Sequence, residues 1–196
     1  MFEQLVFVII EGLDGSGKST QAKRLYDYLR KQGKTVCLRF HPSNDNFFGV
    51  KARQCLLSRG KSTHFGASLF YMLDVFRSII IYSWQKYDYV VFIRYLMGTA
   101  YLPSPFHAIM YRFFASIVPK SDLIFFLDVD PEEAYRRLQQ ARIEHEMFED
   151  LRELERIRSK SLTLASMGKW KVIDANKSPG NAEKEMTNTI METVGS

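Results

Sequence analysis

The chain is short of the features that define several protein classes. Among 196 residues there are two cysteines, two tryptophans and four histidines. Cys37 and Cys55 cannot build the disulfide framework of a small secreted domain, and no C-x-x-C or grouped His/Cys spacing suggests zinc. A reducing, cytoplasmic setting is expected. Long apolar runs are also missing. The first, Leu5 to Ile10, stops at Glu11, too short for the apolar core of a signal peptide and without a basic flank. The longest apolar stretch, Ala67 to Trp84, contains Asp74 and Arg77, whereas a membrane span needs about 20 residues nearly free of charge. No membrane partner is expected. Net charge is +5, but the 27 Lys and Arg are mixed with 22 Asp and Glu and form no basic run, which argues against nucleic acid as the partner. A small phosphate-bearing ligand suits this balance better.

The chain does carry a strand, loop and helix in direct succession. Leu5 to Ile10 is continuous and β-branched, the pattern of a strand covered on both faces in a parallel sheet. From Lys18 to Lys31 the residues Ala22, Leu25, Tyr26 and Leu29 recur at helical spacing, and Gly33 follows as a stop. Further strands are expected at Thr35 to Phe40, Tyr89 to Ile93, Leu123 to Val129 and Trp170 to Ile173. Helices are expected over Phe48 to Ser58, His64 to Lys86, Phe106 to Val118, Pro131 to Met167 with a break, and Gly180 to Val194. The alternation predicts an α/β fold: a three-layer α/β/α sandwich with a five-stranded parallel sheet, in one domain over residues 1–196.

Between the first strand and first helix, Gly12-Leu13-Asp14-Gly15-Ser16-Gly17-Lys18-Ser19 satisfies G-x-x-x-x-G-K-[ST], the phosphate-binding loop. Its glycines let backbone N–H groups and the helix N-terminus face an anion. Lys18 is placed to reach the β and γ phosphates, and the Ser19 hydroxyl to ligate Mg²⁺. A nucleoside triphosphate with Mg²⁺ is the implied ligand, bound by residues 12–19 and Thr20.

Glu11-Gly12-Leu13-Asp14-Gly15-Ser16-Gly17-Lys18-Ser19-Thr20-Gln21 resembles the E-G-x-D-G-x-G-K-[ST]-T-Q opening of thymidylate kinases, and the likeness continues along the chain. Arg39-Phe40-His41-Pro42 is similar to the end of that family's second strand, and Gly49 with Arg53 to its G-x-x-x-R segment. Arg94-Tyr95 with Gly98-Thr99-Ala100-Tyr101 resembles D-R-Y-x-x-S-x-x-A-Y, one residue shorter. Leu127 to Ala134 matches L-D-x-D-P-E-x-A, and Trp170 to Ala175 resembles the last strand. The resemblance implies a nucleoside monophosphate kinase that passes the γ-phosphoryl group of ATP to dTMP, in pyrimidine deoxynucleotide synthesis, and that forms a homodimer.

Carried over residue by residue, the resemblance gives Arg94 and Arg53 to the acceptor phosphate and Asp14 to the sugar hydroxyl. Tyr71 becomes the ring that stacks on the base, with Arg77 and Tyr101 as further acceptor contacts. A mobile lid is implied around residues 136–150, with Arg142 and Arg137 as its catalytic arginines, because Gly15 stands where some members carry an arginine in the loop. Three positions depart from the pattern. Ile93 replaces the D-R-Y aspartate, leaving Asp14, Glu11 or Asp128 to supply a carboxylate near the metal. Val75 stands where a base-contacting arginine belongs, with Arg77 about 200° around the helix from it. Met147 occupies a frequent lid arginine position. A kinase for another small acceptor, or an ATP-binding protein without transfer activity, are the alternatives these departures leave open.

Overall fold

The computed structural model describes residues 5–57, 61–82, 87–102, 105–141 and 150–194. Five strands form one parallel sheet: β1 Val6–Gly12, β2 Val36–Phe40, β3 Tyr89–Ile93, β4 Leu123–Asp128 and β5 Lys171–Asp174, in the order β2-β3-β1-β4-β5. The two central strands read as nearly unbroken apolar runs because helices cover both faces. Val8, Ile9, Ile10 and all of β3 are buried. Seven α-helices are found among the described residues: α1 Lys18–Lys31, α2 Phe47–Leu57, α3 Lys61–Tyr82, α4 Phe106–Ile117, α5 Pro131–Ala141, α6 Leu151–Gly168 and α7 Pro179–Val194. The α/β sandwich read from the sequence is the fold observed.

Local chemistry sets several boundaries. Pro131 opens α5 with Glu132 and Glu133 in its first turn, which suits the positive end of the helix dipole. Asp150 caps α6, accepting from the N–H groups of Arg152 at 2.8 Å and Glu153 at 3.2 Å. The expected break between Pro131 and Met167 thus has a defined far side, while residues 142–149 lie outside the described residues. A short 3-10 helix, Met97–Tyr101, follows β3 where the sequence pattern suggested no element.

Strand order decides where the site lies. From β1 the chain passes to β2 and β3 on one side, then to β4 and β5 on the other, so the loops leaving the carboxyl ends diverge beside β1. The glycine-rich loop sits at that divergence.

Candidate active site

The phosphate loop joins the end of β1 to the first turn of α1. Gly15 has φ of 81°, and a methyl group there would meet the Ala134 carbonyl oxygen at 2.5 Å, so the loop lies flush against α5. Helix α1 begins after Gly17 with no side-chain cap and no acidic residue in its first turn. Its leading amides and the positive end of its dipole are thereby offered to an anion. Lys18 is buried, and its Nζ donates to the carbonyls of Gly12 at 2.8 Å and Leu13 at 2.5 Å, with Asp14 Oδ1 at 3.4 Å. A phosphate oxygen is a stronger acceptor than these neutral carbonyls. The Ser16 hydroxyl is buried without a hydrogen-bond partner, while Ser19 and Thr20 are exposed on the cleft wall.

The cleft around this loop has a volume of about 930 Å³, the size of a ligand site. It has two arms, as the strand order requires. Phe40, His41, Pro42, Arg53, Ile93 and Arg94 line the arm built on β2, α2 and β3; Arg137, Leu138, Ala175, Lys177, Pro179 and Ala182 line the arm built on α5 and the β5–α7 connection.

In the first arm, Arg94 occupies the turn after β3 with a left-handed φ of 62°, unusual for a residue with a side chain. Its Nη2 is ion-paired with Asp14 Oδ1, so the loop aspartate lies between Arg94 and Lys18. Arg53 reaches this arm because α2 begins in close contact with the preceding loop. Gly49 packs on the Ser43 backbone so tightly that a Cβ would overlap the Ser43 carbonyl oxygen. The same loop is anchored from α3, where the fully buried Asp74 accepts from Ser43 N at 2.7 Å, Ser43 Oγ at 2.6 Å and Asn46 Nδ2 at 2.7 Å. Asn46 Oδ1 in turn accepts from Phe48 N and Gly49 N at the start of α2. This chain of contacts gives the G-x-x-x-R spacing its structural meaning.

Ile93 lines the same arm beside His41, and its carbonyl accepts from His41 N at 3.1 Å and lies 3.3 Å from His41 Nδ1. Burial pushes the His41 imidazole down to about 4, with Asp74 opposing and Arg39 adding to the shift. His41 is therefore neutral at pH 7. Glu11, buried completely, accepts on Oε1 from the N–H groups of Tyr95, Leu96 and Met97. Burial pushes its carboxyl up, while those amides and Lys18 pull it down.

In the second arm Arg137 is a strut. Its Nε donates to Glu133 Oε1 at 2.7 Å, its Nη1 to the Gly15 carbonyl at 3.4 Å and its Nη2 to the Ala175 carbonyl at 3.1 Å, bracing the loop against the β5–α7 connection.

Of the residues singled out by sequence, the structure brings Asp14, Lys18, Ser19, Arg53, Arg94 and Arg137 to one cleft. Tyr71 and Arg77 are elsewhere. Helix α3 turns Tyr71 into the core, where its ring covers the α-carbon of Gly98. Arg77 lies 3.9 Å from Asp45, which already holds Arg39 at 2.7 and 3.0 Å. Asp128, one of three carboxylates expected near a metal, is held through both oxygens by Arg158 at 2.7 and 2.8 Å. The side chain of Tyr101, and Arg142 and Met147 altogether, lie outside the described residues. The sequence pattern missed His41, the Asp74 anchor and the apolar wall of Leu138, Ala175, Pro179 and Ala182. Two of these had a signal: His41 stands in the Arg39-Phe40-His41-Pro42 segment, and Ala175, Pro179 and Ala182 follow the last strand as small or cyclic residues.

No group of three or more His, Cys, Asp or Glu among the described residues could hold a metal by itself, and no helix among them is long and apolar enough to cross a membrane. In comparisons with known proteins, the thymidylate kinase family model matches residues 10–186. A probable thymidylate kinase of Pyrobaculum calidifontis is 30% identical over 97% of this chain and 98% of its own length. A probable thymidylate kinase of Pyrococcus abyssi is 32% identical over 83% of this chain and 84% of its length. The thymidylate kinase of Leptospira borgpetersenii is 32% identical over 80% of each.

Proposed function

The chain belongs to the thymidylate kinase family, and from that premise we propose that it moves the γ-phosphoryl group of ATP onto dTMP, giving dTDP, within the cleft described above. The observation that carries this assignment is the placing of Lys18 and Arg94 on one carboxylate, Asp14, at the junction of the two arms. ATP takes the phosphate loop and the arm of Leu138 and Ala175, and dTMP takes the arm of Arg53 and Arg94. The whole chain acts as one kinase domain, with Arg137 of α5 bracing the phosphate loop.

The chemistry asks for charge and alignment rather than a base. An acceptor phosphate has its second pKa near ~6 and is a dianion at neutral pH. Arg94 offers a planar fork that can grip two of its oxygens, and Arg53 adds a second positive charge. Lys18 transfers its donors from the Gly12 and Leu13 carbonyls to phosphate, and Arg137 keeps the loop in register with the nucleotide arm. The residues fit Mg²⁺ arriving with the triphosphate. Ser19 offers one hard oxygen on the cleft wall, whereas both oxygens of Asp128 are held by Arg158 and Glu11 lies off the cleft with one oxygen on backbone amides. When bound, Mg²⁺ neutralises charge on the β and γ phosphates.

A homodimer is proposed on the outer faces of α3 and α4. Phe106, Ile109, Phe113 and Ile117 form a stripe on α4, each more than half exposed, and Leu69 and Ile80 are exposed on α3, with Phe76 against Phe114 between the helices. A second copy of this chain would cover that face. The free thiols of Cys37 and Cys55 support work in the reducing cytoplasm.

A panel of nucleoside monophosphates with ATP and Mg²⁺ tests the assignment. The highest kcat/KM is expected for dTMP, with dUMP lower by roughly 10- to 200-fold, since one methyl group in an apolar pocket is worth about 1 to 3 kcal/mol. AMP or CMP outpacing dTMP would overturn the acceptor. ATP binding without acceptor-dependent ADP would overturn transfer.

A further inference from the structure

The turn that carries Arg94 is held almost entirely by residues 10–14. The N–H of Arg94 donates to the Ile10 carbonyl at 3.1 Å. The next three amides, of Tyr95, Leu96 and Met97, converge on Glu11 Oε1 at 2.8, 2.7 and 3.1 Å. The guanidinium of Arg94 pairs with Asp14. Successive backbone amides pointing at one centre form an anion-binding concavity, and here the anion is the chain's own carboxylate. A buried carboxylate is costly unless several donors meet it, and here three amides meet Oε1 while Oε2 is buried without a hydrogen-bond partner. The turn also places Arg94 in the left-handed region, which persists only when its surroundings over-determine it. The aspartate expected just before Arg94 is Ile93, whose side chain cannot orient the arginine by hydrogen bonds.

We propose that Glu11 is a positioning residue for the acceptor phosphate, clamping residues 95–97 so that Arg94 presents its fork in register with the phosphate loop. This rests on the kinase assignment made above. The clamp ties the acceptor arginine to the strand that leads into the donor loop, so one rigid segment sets both ends of the transfer. Length matters as well as charge. An aspartate at position 11 is one methylene short of the three amides, whereas a glutamine keeps the reach and one acceptor oxygen.

The test compares E11D and E11Q with the wild-type protein, each checked for cooperative thermal unfolding. In E11D the KM for dTMP should rise by about tenfold or more while the KM for ATP stays within about twofold. E11Q should rescue most of this, leaving a rise in the KM for dTMP of about twofold to fivefold. Hydrogen exchange at the amides of Tyr95, Leu96 and Met97 should quicken in E11D and stay slow in E11Q. E11Q carries the test should E11D fail to fold. The proposal is overturned if the KM for dTMP is unchanged in the folded variants, or if both KM values rise together. Should wild-type protein fail to phosphorylate dTMP, the kinase assignment falls, and calorimetric binding of dTMP then tests the clamp. Faster exchange at residues 95–97 with unchanged dTMP affinity would overturn it; weaker dTMP binding with unchanged ATP binding would uphold it.

Discussion

Arg94 and Asp14 form an ion pair inside the cleft, joining the end of β3 to the phosphate loop. Lys18 lies 3.4 Å from the same carboxylate oxygen. The cation assigned to the acceptor and the cation assigned to the donor therefore share one counter-charge. A phosphate that draws either cation away leaves Asp14 to the other, so filling one arm changes the electrostatics of its neighbour.

Lys18→Ala tests the donor half. The variant should lose turnover, and its affinity for ATP should fall by roughly 2 to 4 kcal/mol, the worth of a charge-assisted contact in a desolvated site. Calorimetry and a coupled ADP assay measure the two effects separately. Undiminished turnover would remove this loop from the reaction.

Ile93→Asp tests how the chain manages without the usual carboxylate. Ile93 is buried in the cleft wall, one residue before Arg94. A carboxylate there should orient the arginine and raise kcat roughly tenfold, equivalent to about 1.4 kcal/mol of transition-state stabilisation. A folded variant no faster than wild type would mean that the site has been rebuilt around the isoleucine.

His41 predicts a stability loss on the acid side. Its folded-state pKa is about 4, against an ordinary value of 6.5, so the unfolded chain takes up a proton that the folded chain refuses between those values. Stability is fully present above about pH 6.5, falls as pH drops through that window and levels off below about 4. Urea unfolding at several pH values should show this slope in wild type and lack it in His41→Gln. Equal slopes in the two proteins would assign the acid sensitivity to other groups.

Phe113→Asp tests the proposed subunit contact. A charge at the centre of the α4 stripe should yield monomers in light scattering without lowering the melting temperature of the isolated subunit, because the side chain is half exposed. A wild-type protein that is already monomeric at micromolar concentration would dispose of the dimer.

How much of this was legible in the sequence depended on whether a residue's neighbours were local. All five strands and the phosphate loop could be read because an unbroken β-branched run and a glycine pattern carry their own geometry. Helix α3 could be seen as a helix, but its rotation could not. Leu69 to Arg77 is apolar or aromatic on nearly every side, and contacts with the sheet and α2 decide that Tyr71, Met72 and Val75 face inward while Arg77 meets Asp45. Glu11 and Asp74 were unreadable as anchors, because their partners lie 84 and 31 residues away. Asp74 belongs to no motif, and the E-G-x-D-G pattern that Glu11 opens says nothing of the amides it holds. Both carboxylates satisfy backbone amides that become neighbours only after the sheet has formed.

The strand order also works as a ruler. Adjacent strands lie about 4.8 Å apart, so the ends of β2 and β5, four intervals from one another, are separated by roughly 19 Å before twist is counted. Any single molecule meant to occupy both arms at once must bridge that span with a flexible, anionic middle that passes over the phosphate loop. Shorter linkers would force a choice between the two ends, and the length at which affinity jumps would measure the separation of the subsites in solution.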